Sequence, residues 1–150
     1  MKKFSFQISF FSLLLAAAIA LACGSSMSHI SPNCTSSTSG ANATGFPQSV
    51  GVCPATADAK DFLDGQVQFI ATAYYLNQPP VTPLTNATWG ACYQNAPTDE
   101  ITISNKGLAQ CASGASGTYS VFASVPTNCL VIGPCGAGCQ ISGYAKLTCP

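Results

Sequence analysis

The sequence is poor in charge. Only 7% of its 150 residues are charged, and arginine is absent. Beyond Lys2 and Lys3 the bases are Lys60, Lys106 and Lys146. Nucleic-acid binding requires several basic groups that neutralise phosphates, and a polybasic membrane contact requires a cluster of them. We therefore expect no nucleic-acid partner, and a membrane contact only through a covalent lipid.

Groups for acid, base or nucleophilic chemistry are equally scarce. The one histidine, His29, lies in a Ser/Gly-rich stretch rather than in the packed setting that a Ser/His or Cys/His pair needs. The redox motif C-x-x-C is absent. In "DAKDFLD" we interpret the aspartates as a solvent-facing first helical turn that favourably meets the helix dipole, because an EF-hand would need alternating ligands and a terminal Glu. We expect no enzymatic activity and no cofactor.

An uncharged apolar run over residues 10–22, behind two lysines, is typical of an export signal. Ala20-Leu21-Ala22 matches an A-x-A cleavage site, which predicts a signal peptide over residues 1–22, or to residue 24 if cleavage follows Gly24. The run "IALAC" also resembles a bacterial lipoprotein signal, in which Cys23 would be lipidated. Ala20 stands where such signals usually carry Leu. Residues 23–50 are then a Ser/Thr/Gly-rich flexible arm or tether, and residues 51–150 the folded domain.

The chain holds nine cysteines, and an even number follows Cys23. They are Cys34, Cys53, Cys92, Cys111, Cys129, Cys135, Cys139 and Cys149. Behind an export signal, eight cysteines predict a disulfide framework whose pairing the sequence leaves open. The cluster "CLVIGPCGAGC" has neither histidine nor C-x2-C spacing, so we expect no metal site.

Three N-x-[ST] sequons, at Asn33, Asn42 and Asn86, are N-glycosylation candidates and agree with a eukaryotic secretory route. Together with the disulfide framework and the nearly uncharged exterior, they predict a secreted or surface-attached extracellular protein.

Along the folded part, residues 57–64 are predicted to form one short N-terminal helix, with Asp58 as its cap. Residues 66–76 fit both a helical and an alternating spacing, and we favour a strand. A proline-rich loop follows over residues 77–88. Short β-like runs and a turn at residues 105–107 complete the chain. The fold class predicted is mainly β: a small disulfide-rich sandwich or barrel-like domain.

The aromatics Tyr74, Tyr75, Trp89 and Tyr93 flank that proline-rich loop. Exposed rings with polar tips serve as contact anchors or sugar-stacking platforms, whereas Trp89 could instead pack in the core on a disulfide at Cys92. We expect a non-catalytic cysteine-rich interaction or structural module, with an extracellular protein or glycan as partner. The alternatives are a small inhibitor whose loop over residues 82–88 enters a protease, a hydrolase-like effector, or a lipoprotein tethered through Cys23.

Overall fold

The structure, a computed structural model, describes residue 34, residues 43–126, residue 135 and residues 140–150. These residues are mainly β. Their strands are β1 (Ser49–Cys53), β2 (Thr56–Asp58), β3 (Gln66–Gln68), β4 (Ile70–Tyr74), β5 (Thr88–Tyr93), β6 (Ala96–Pro97), β7 (Ile101–Ile103), β8 (Leu108–Cys111), β9 (Gly117–Pro126) and β10 (Gln140–Cys149). The fold class expected from the sequence, a small disulfide-rich β domain, is confirmed.

One layer is a five-stranded sheet in the order β2-β10-β9-β5-β6. Its centre is the long antiparallel pair β9 and β10, which aligns Gln140 with Pro126 at one end and Cys149 with Gly117 at the other. Strand β2 joins β10 in parallel, and β5 pairs with β9 antiparallel. The inward rows of this sheet carry apolar side chains. The outward rows are richer in Ser and Thr, but Cys92, Phe122 and Ser124 on them are also buried.

The opposite layer consists of two smaller sheets, the pair β1-β4 and the three-stranded sheet β3-β8-β7. The side chains of Val67, Phe69, Ala71 and Ala73 are buried and alternate with more exposed neighbours. This period of two places residues 66–74 in strands, as favoured from the sequence, since a helix would bury every third or fourth residue.

Two apolar clusters fill the space between the layers. The first joins β3, β7 and β8 to the middle of the large sheet, with Phe69, Val121 and Leu147 almost inaccessible. The second joins β1 and β4 to the far end of β9. Gly143 of β10 lies beneath β1 so closely that an added Cβ would overlap the Val50 carbonyl. The sandwich therefore depends on a missing side chain at that crossing.

The prediction of a short helix over residues 57–64 is wrong. Its first residues end β2, and two 3₁₀ turns follow, Ala59–Asp61 and Leu63–Gly65. Asp58 does cap a turn, accepting from the Lys60 N–H at 3.2 Å. An α-helix does not continue because Phe62 has extended backbone angles and Asp64 has a φ of 54°. The apolar face of a helix is also missing, since Leu63 is exposed.

Three disulfides connect described cysteines: Cys34–Cys53, Cys92–Cys135 and Cys111–Cys149. The third joins the end of β8 to the end of β10 and so ties the two layers together. The second holds Cys135 at the outer face of the large sheet. Ala91 and Val121 point inward, so their neighbours in the strands, Cys92 and Ser120, point outward. Cys129 and Cys139 lie outside the described residues.

Candidate functional site

An aromatic cleft lies at one edge of the sandwich. Strands β3 and β4 form one run interrupted only at Phe69, whose N–H donates to the Gly107 carbonyl at 2.9 Å. Further along, Ala73 exchanges two hydrogen bonds with Val81 at 3.0 and 2.9 Å. The backbone groups of alternate residues in a strand point to the same edge, so Phe69 and Ala73 bond along one edge of this run. The β7-β8 hairpin and the segment at residues 81–85 therefore lie next to each other along that edge. The cleft lies between them.

Trp89 forms the floor of the cleft. It lies on β5 and faces into the sandwich, in a row with Ala123 of β9 and Gly143 of β10. These small neighbours leave room for the indole, which packs against both apolar clusters and remains half-buried. Packing against both clusters holds the ring in place where it lines the cleft.

The β7-β8 turn forms one wall, and Gly107 makes its position possible. This glycine has a φ of +81°, and an added Cβ would lie 2.5 Å from the Phe69 carbonyl and 2.8 Å from Cζ2 of Trp89. The Ser104 hydroxyl supports the turn by accepting from the Lys106 N–H at 3.3 Å. Only glycine allows both the left-handed backbone and the contact with the indole.

The proline-rich segment forms the opposite wall. Its Leu84 is 7% exposed and belongs to the second apolar cluster, and the Leu84 N–H donates to the Ala71 carbonyl at 2.8 Å. Pro83 and Thr85 flank this anchor and line the cleft. The segment is thus fixed by one buried side chain and by backbone hydrogen bonds.

The cleft has a volume of about 450 Å³, within the range of roughly 300–1,000 Å³ typical of small-molecule sites. Four polar residues line the cleft beside its apolar residues: Gln68, Thr85, Asn105 and Lys106. The Gln68 amide donates to the Phe69 and Lys106 carbonyls at 2.8 and 2.7 Å, which fixes its orientation. None of the described residues donates to its Oε1, and that oxygen remains able to accept a hydrogen bond from a ligand.

Of the four aromatics predicted to bind, only Trp89 lines the cleft. Tyr74 is exposed beside Gly51, whereas Tyr75 is half-buried against the second apolar cluster. Tyr93 packs on Tyr119 with ring centroids 5.2 Å apart. Trp89 and Cys92 lie on opposite faces of β5, so the indole does not pack on the Cys92–Cys135 disulfide.

The carboxylates do not converge on the cleft. Asp58 pairs with Lys60 at 2.7 Å, and this contact lowers the pKa of Asp58 while raising that of Lys60. Lys60 and Asp64 line a second cavity of about 380 Å³ beside Cys111. The described part of the chain contains no group of three or more His, Cys, Asp or Glu side chains that could hold a metal ion.

Glu100 approaches the core tyrosine Tyr119 rather than another acid. Interaction with the nearby Glu100 carboxylate, together with burial, raises the pKa of Tyr119 above its ordinary value. The Tyr119 hydroxyl also donates to the Ser116 carbonyl at 3.0 Å.

Several predicted sites lie outside the described residues: the signal segment over residues 1–22, Cys23, Asn33 and Asn42. Asn86 is described, and it is exposed in the turn between Leu84 and β5. Among the described residues, no helix is long and apolar enough to cross a membrane.

Sequence reasoning missed Gln68, Thr85, Asn105 and Lys106 as cleft residues. The turn at residues 105–107 was predicted, but its contact with Trp89 joins distant parts of the chain and leaves no local signal. Comparison with known proteins finds no family model that matches the chain and no curated protein with significant sequence similarity.

Proposed function

We propose that the protein is an exported, non-catalytic binding module that takes its ligand in the Trp89 cleft. The observation that carries this proposal is the half-buried indole, which is fixed by both apolar clusters and open on the side of a cleft of about 450 Å³. A large ring left partly uncovered in an otherwise well-packed sandwich is the kind of anchor that binding sites use.

The floor and both walls of the cleft are held in place before a ligand binds, which favours binding. The Trp89 indole, the Gly107 turn and the Leu84 anchor are each held by packing or by backbone hydrogen bonds. A preorganised site loses little conformational entropy when the ligand binds, so more of the contact energy appears as affinity.

The chemistry of the lining supports binding rather than catalysis. The described residues that line the cleft include one lysine, two side-chain amides and one hydroxyl, but neither a carboxylate nor a histidine. General acid–base catalysis uses histidine most often, and carboxylates are the next most common groups. The lining instead offers donors and acceptors that orient a ligand.

Export is part of the proposal, and the three disulfides support it, because such bonds form and persist mainly outside the cytosol. The apolar N-terminal run predicts the route, and the intact mass of the mature protein tests it. Removal of residues 1–22, removal of residues 1–24 and lipidation at Cys23 give three different masses. Retention of the whole run would contradict export by a cleaved signal.

The inhibitor alternative has less support in the geometry. An inhibitory loop projects from its scaffold to enter a protease, whereas residues 82–88 are held down by Leu84, which is buried and bonded to Ala71. The loop therefore serves as a wall of the cleft.

A substitution that fills the cleft with a large side chain tests whether the ligand binds there. Thr85 is exposed, lines the cleft and makes no side-chain hydrogen bond with other described residues, so Thr85→Arg should fold normally and obstruct the site. Ser113→Arg, in an exposed turn at the opposite end of β8, is the matched control. Both variants and the wild type are compared on arrays of extracellular glycans and peptides. We expect binding by the wild type and the control, and its loss in Thr85→Arg; equal binding by all three would refute the cleft as the site.

A further inference from the structure

The residues that line the cleft indicate which chemical class of ligand it binds. We infer that the Trp89 cleft binds a saccharide that carries a carboxylate, as chains of uronic acids do; this inference rests on the proposed function. The ring would stack on Trp89, the carboxylate would meet Lys106, and the hydroxyls would bond to Gln68, Thr85 and Asn105.

The floor of the cleft suits a sugar ring. The apolar C–H face of a pyranose packs flat on an aromatic surface while its hydroxyls point outward around the edge. Trp89 is the aromatic side chain among the lining residues with a polar tip, and polar residues line both walls beside it. The volume of about 450 Å³ accommodates a short run of sugar rings rather than a folded partner.

The amides and the hydroxyl match the outward hydroxyls of a sugar. The Gln68 amide nitrogen is already used by two carbonyls, which leaves Oε1 to accept. The side chains of Thr85 and Asn105 are exposed and make no hydrogen bond with other described residues. Each sugar hydroxyl both donates and accepts, so a mixed set of this kind satisfies it.

Lys106 supplies the charge selectivity. Of the described lysines, Lys60 is paired with Asp58 at 2.7 Å, whereas Lys106 has no carboxylate within 4.0 Å among the described residues. Among the described residues that line the cleft, it is the only charged one. A lone ammonium beside an apolar floor favours a ligand with one negative group per bound unit, because charge-assisted hydrogen bonds are stronger than neutral ones.

A peptide ligand is less well matched to this edge. Strand addition needs consecutive free backbone groups, and here Phe69 donates to Gly107 while Ala71 accepts from Leu84. The Phe69 N–H and the Ala71 carbonyl are therefore already bonded within the protein, which favours recognition through side chains and the ring.

Calorimetric titration of the mature, oxidised protein tests the inference. The probes are trisaccharides of glucuronic, galacturonic and mannuronic acid, each beside its carboxyl-reduced counterpart, which keeps the rings and linkages and loses only the charge. We expect at least one acid to bind roughly fivefold or more tightly than its reduced form, and this preference to shrink as salt is added.

Two matched lysine variants locate the charge. Lys106→Gln should weaken binding of the acid roughly three- to tenfold and leave the reduced form almost unchanged. Lys146→Gln, on the outer face of β10, should change neither by more than about twofold, as expected for a distant surface lysine.

The outcomes separate the two proposals. Equal binding of the acid and its reduced form, no binding of any saccharide, or insensitivity to Lys106→Gln overturns the inference. If the inference fails but the cleft-filling variant Thr85→Arg abolishes binding of a neutral glycan or a peptide, the proposed function stands and only the ligand class is wrong. If Thr85→Arg has no effect on any ligand, both fail.

Discussion

Gly107 is the single residue on which the shape of the cleft depends most. Substitution by alanine would add strain at a φ of +81° and place a methyl group against Cζ2 of Trp89 and the Phe69 carbonyl. We expect Gly107→Ala to lower the free energy of unfolding by about 1–3 kcal/mol, measured by denaturant titration, and to weaken ligand binding. A variant as stable as the wild type would show that the turn does not press on the indole.

Tyr119 gives the fold a dependence on alkaline pH. The Glu100 carboxylate and burial raise the pKa of Tyr119 above 10.0. A group whose pKa is raised on folding stabilises the native state below its unfolded value, and this contribution disappears as pH rises through the folded value. The free energy of unfolding should therefore fall more steeply above about pH 10 in the wild type than in Tyr119→Phe. Parallel pH profiles of the two proteins would contradict this assignment.

At the scale of elements, β1 crosses β10 in close contact at Gly143. Gly143→Ala would drive a methyl group into the Val50 backbone, which cannot rotate away. We expect a loss of about 1–3 kcal/mol in unfolding free energy for this variant. Gly51→Ala is the control, because its Cβ would meet only the mobile Tyr74 ring at 3.3 Å, and it should change stability by less than about 0.5 kcal/mol. Similar effects of the two substitutions would argue against the close crossing.

How far the sequence predicts these elements depends on whether the signal is local. The alternation of Val67, Phe69, Ala71 and Ala73 indicates strands, and the structure confirms it. A cap at Asp58 indicates a helix over residues 57–64, but the extended backbone of Phe62 and the positive φ of Asp64 break it. Ala57 and Asp58 pair with β10 instead, so pairing with a distant strand overrides weak helical propensity. The sequence offers Trp89 as a possible binding aromatic, and the structure places it in the lining of the cleft. The lysine and amides beside it come together only through pairing of distant strands.

At the scale of the whole molecule, covalent links between elements supplement a small core. Cys111–Cys149 joins the two layers across a sequence separation of 38, and Cys149 is 3% exposed within the first apolar cluster. Replacement of both cysteines by alanine should lower the free energy of unfolding by about 2–5 kcal/mol, measured by thermal or denaturant unfolding. An unchanged midpoint would mean that the layers hold together without this bond.

The central claim is that the ligand lies against Trp89, and the chain offers a direct probe of it, because this is its only tryptophan. The tryptophan emission of the oxidised mature protein is therefore followed while the ligand found on the arrays is added. The account predicts a saturable change in intensity or wavelength whose midpoint equals the calorimetric dissociation constant, and its absence in Thr85→Arg. Binding that saturates by calorimetry while the tryptophan emission stays constant would contradict the account.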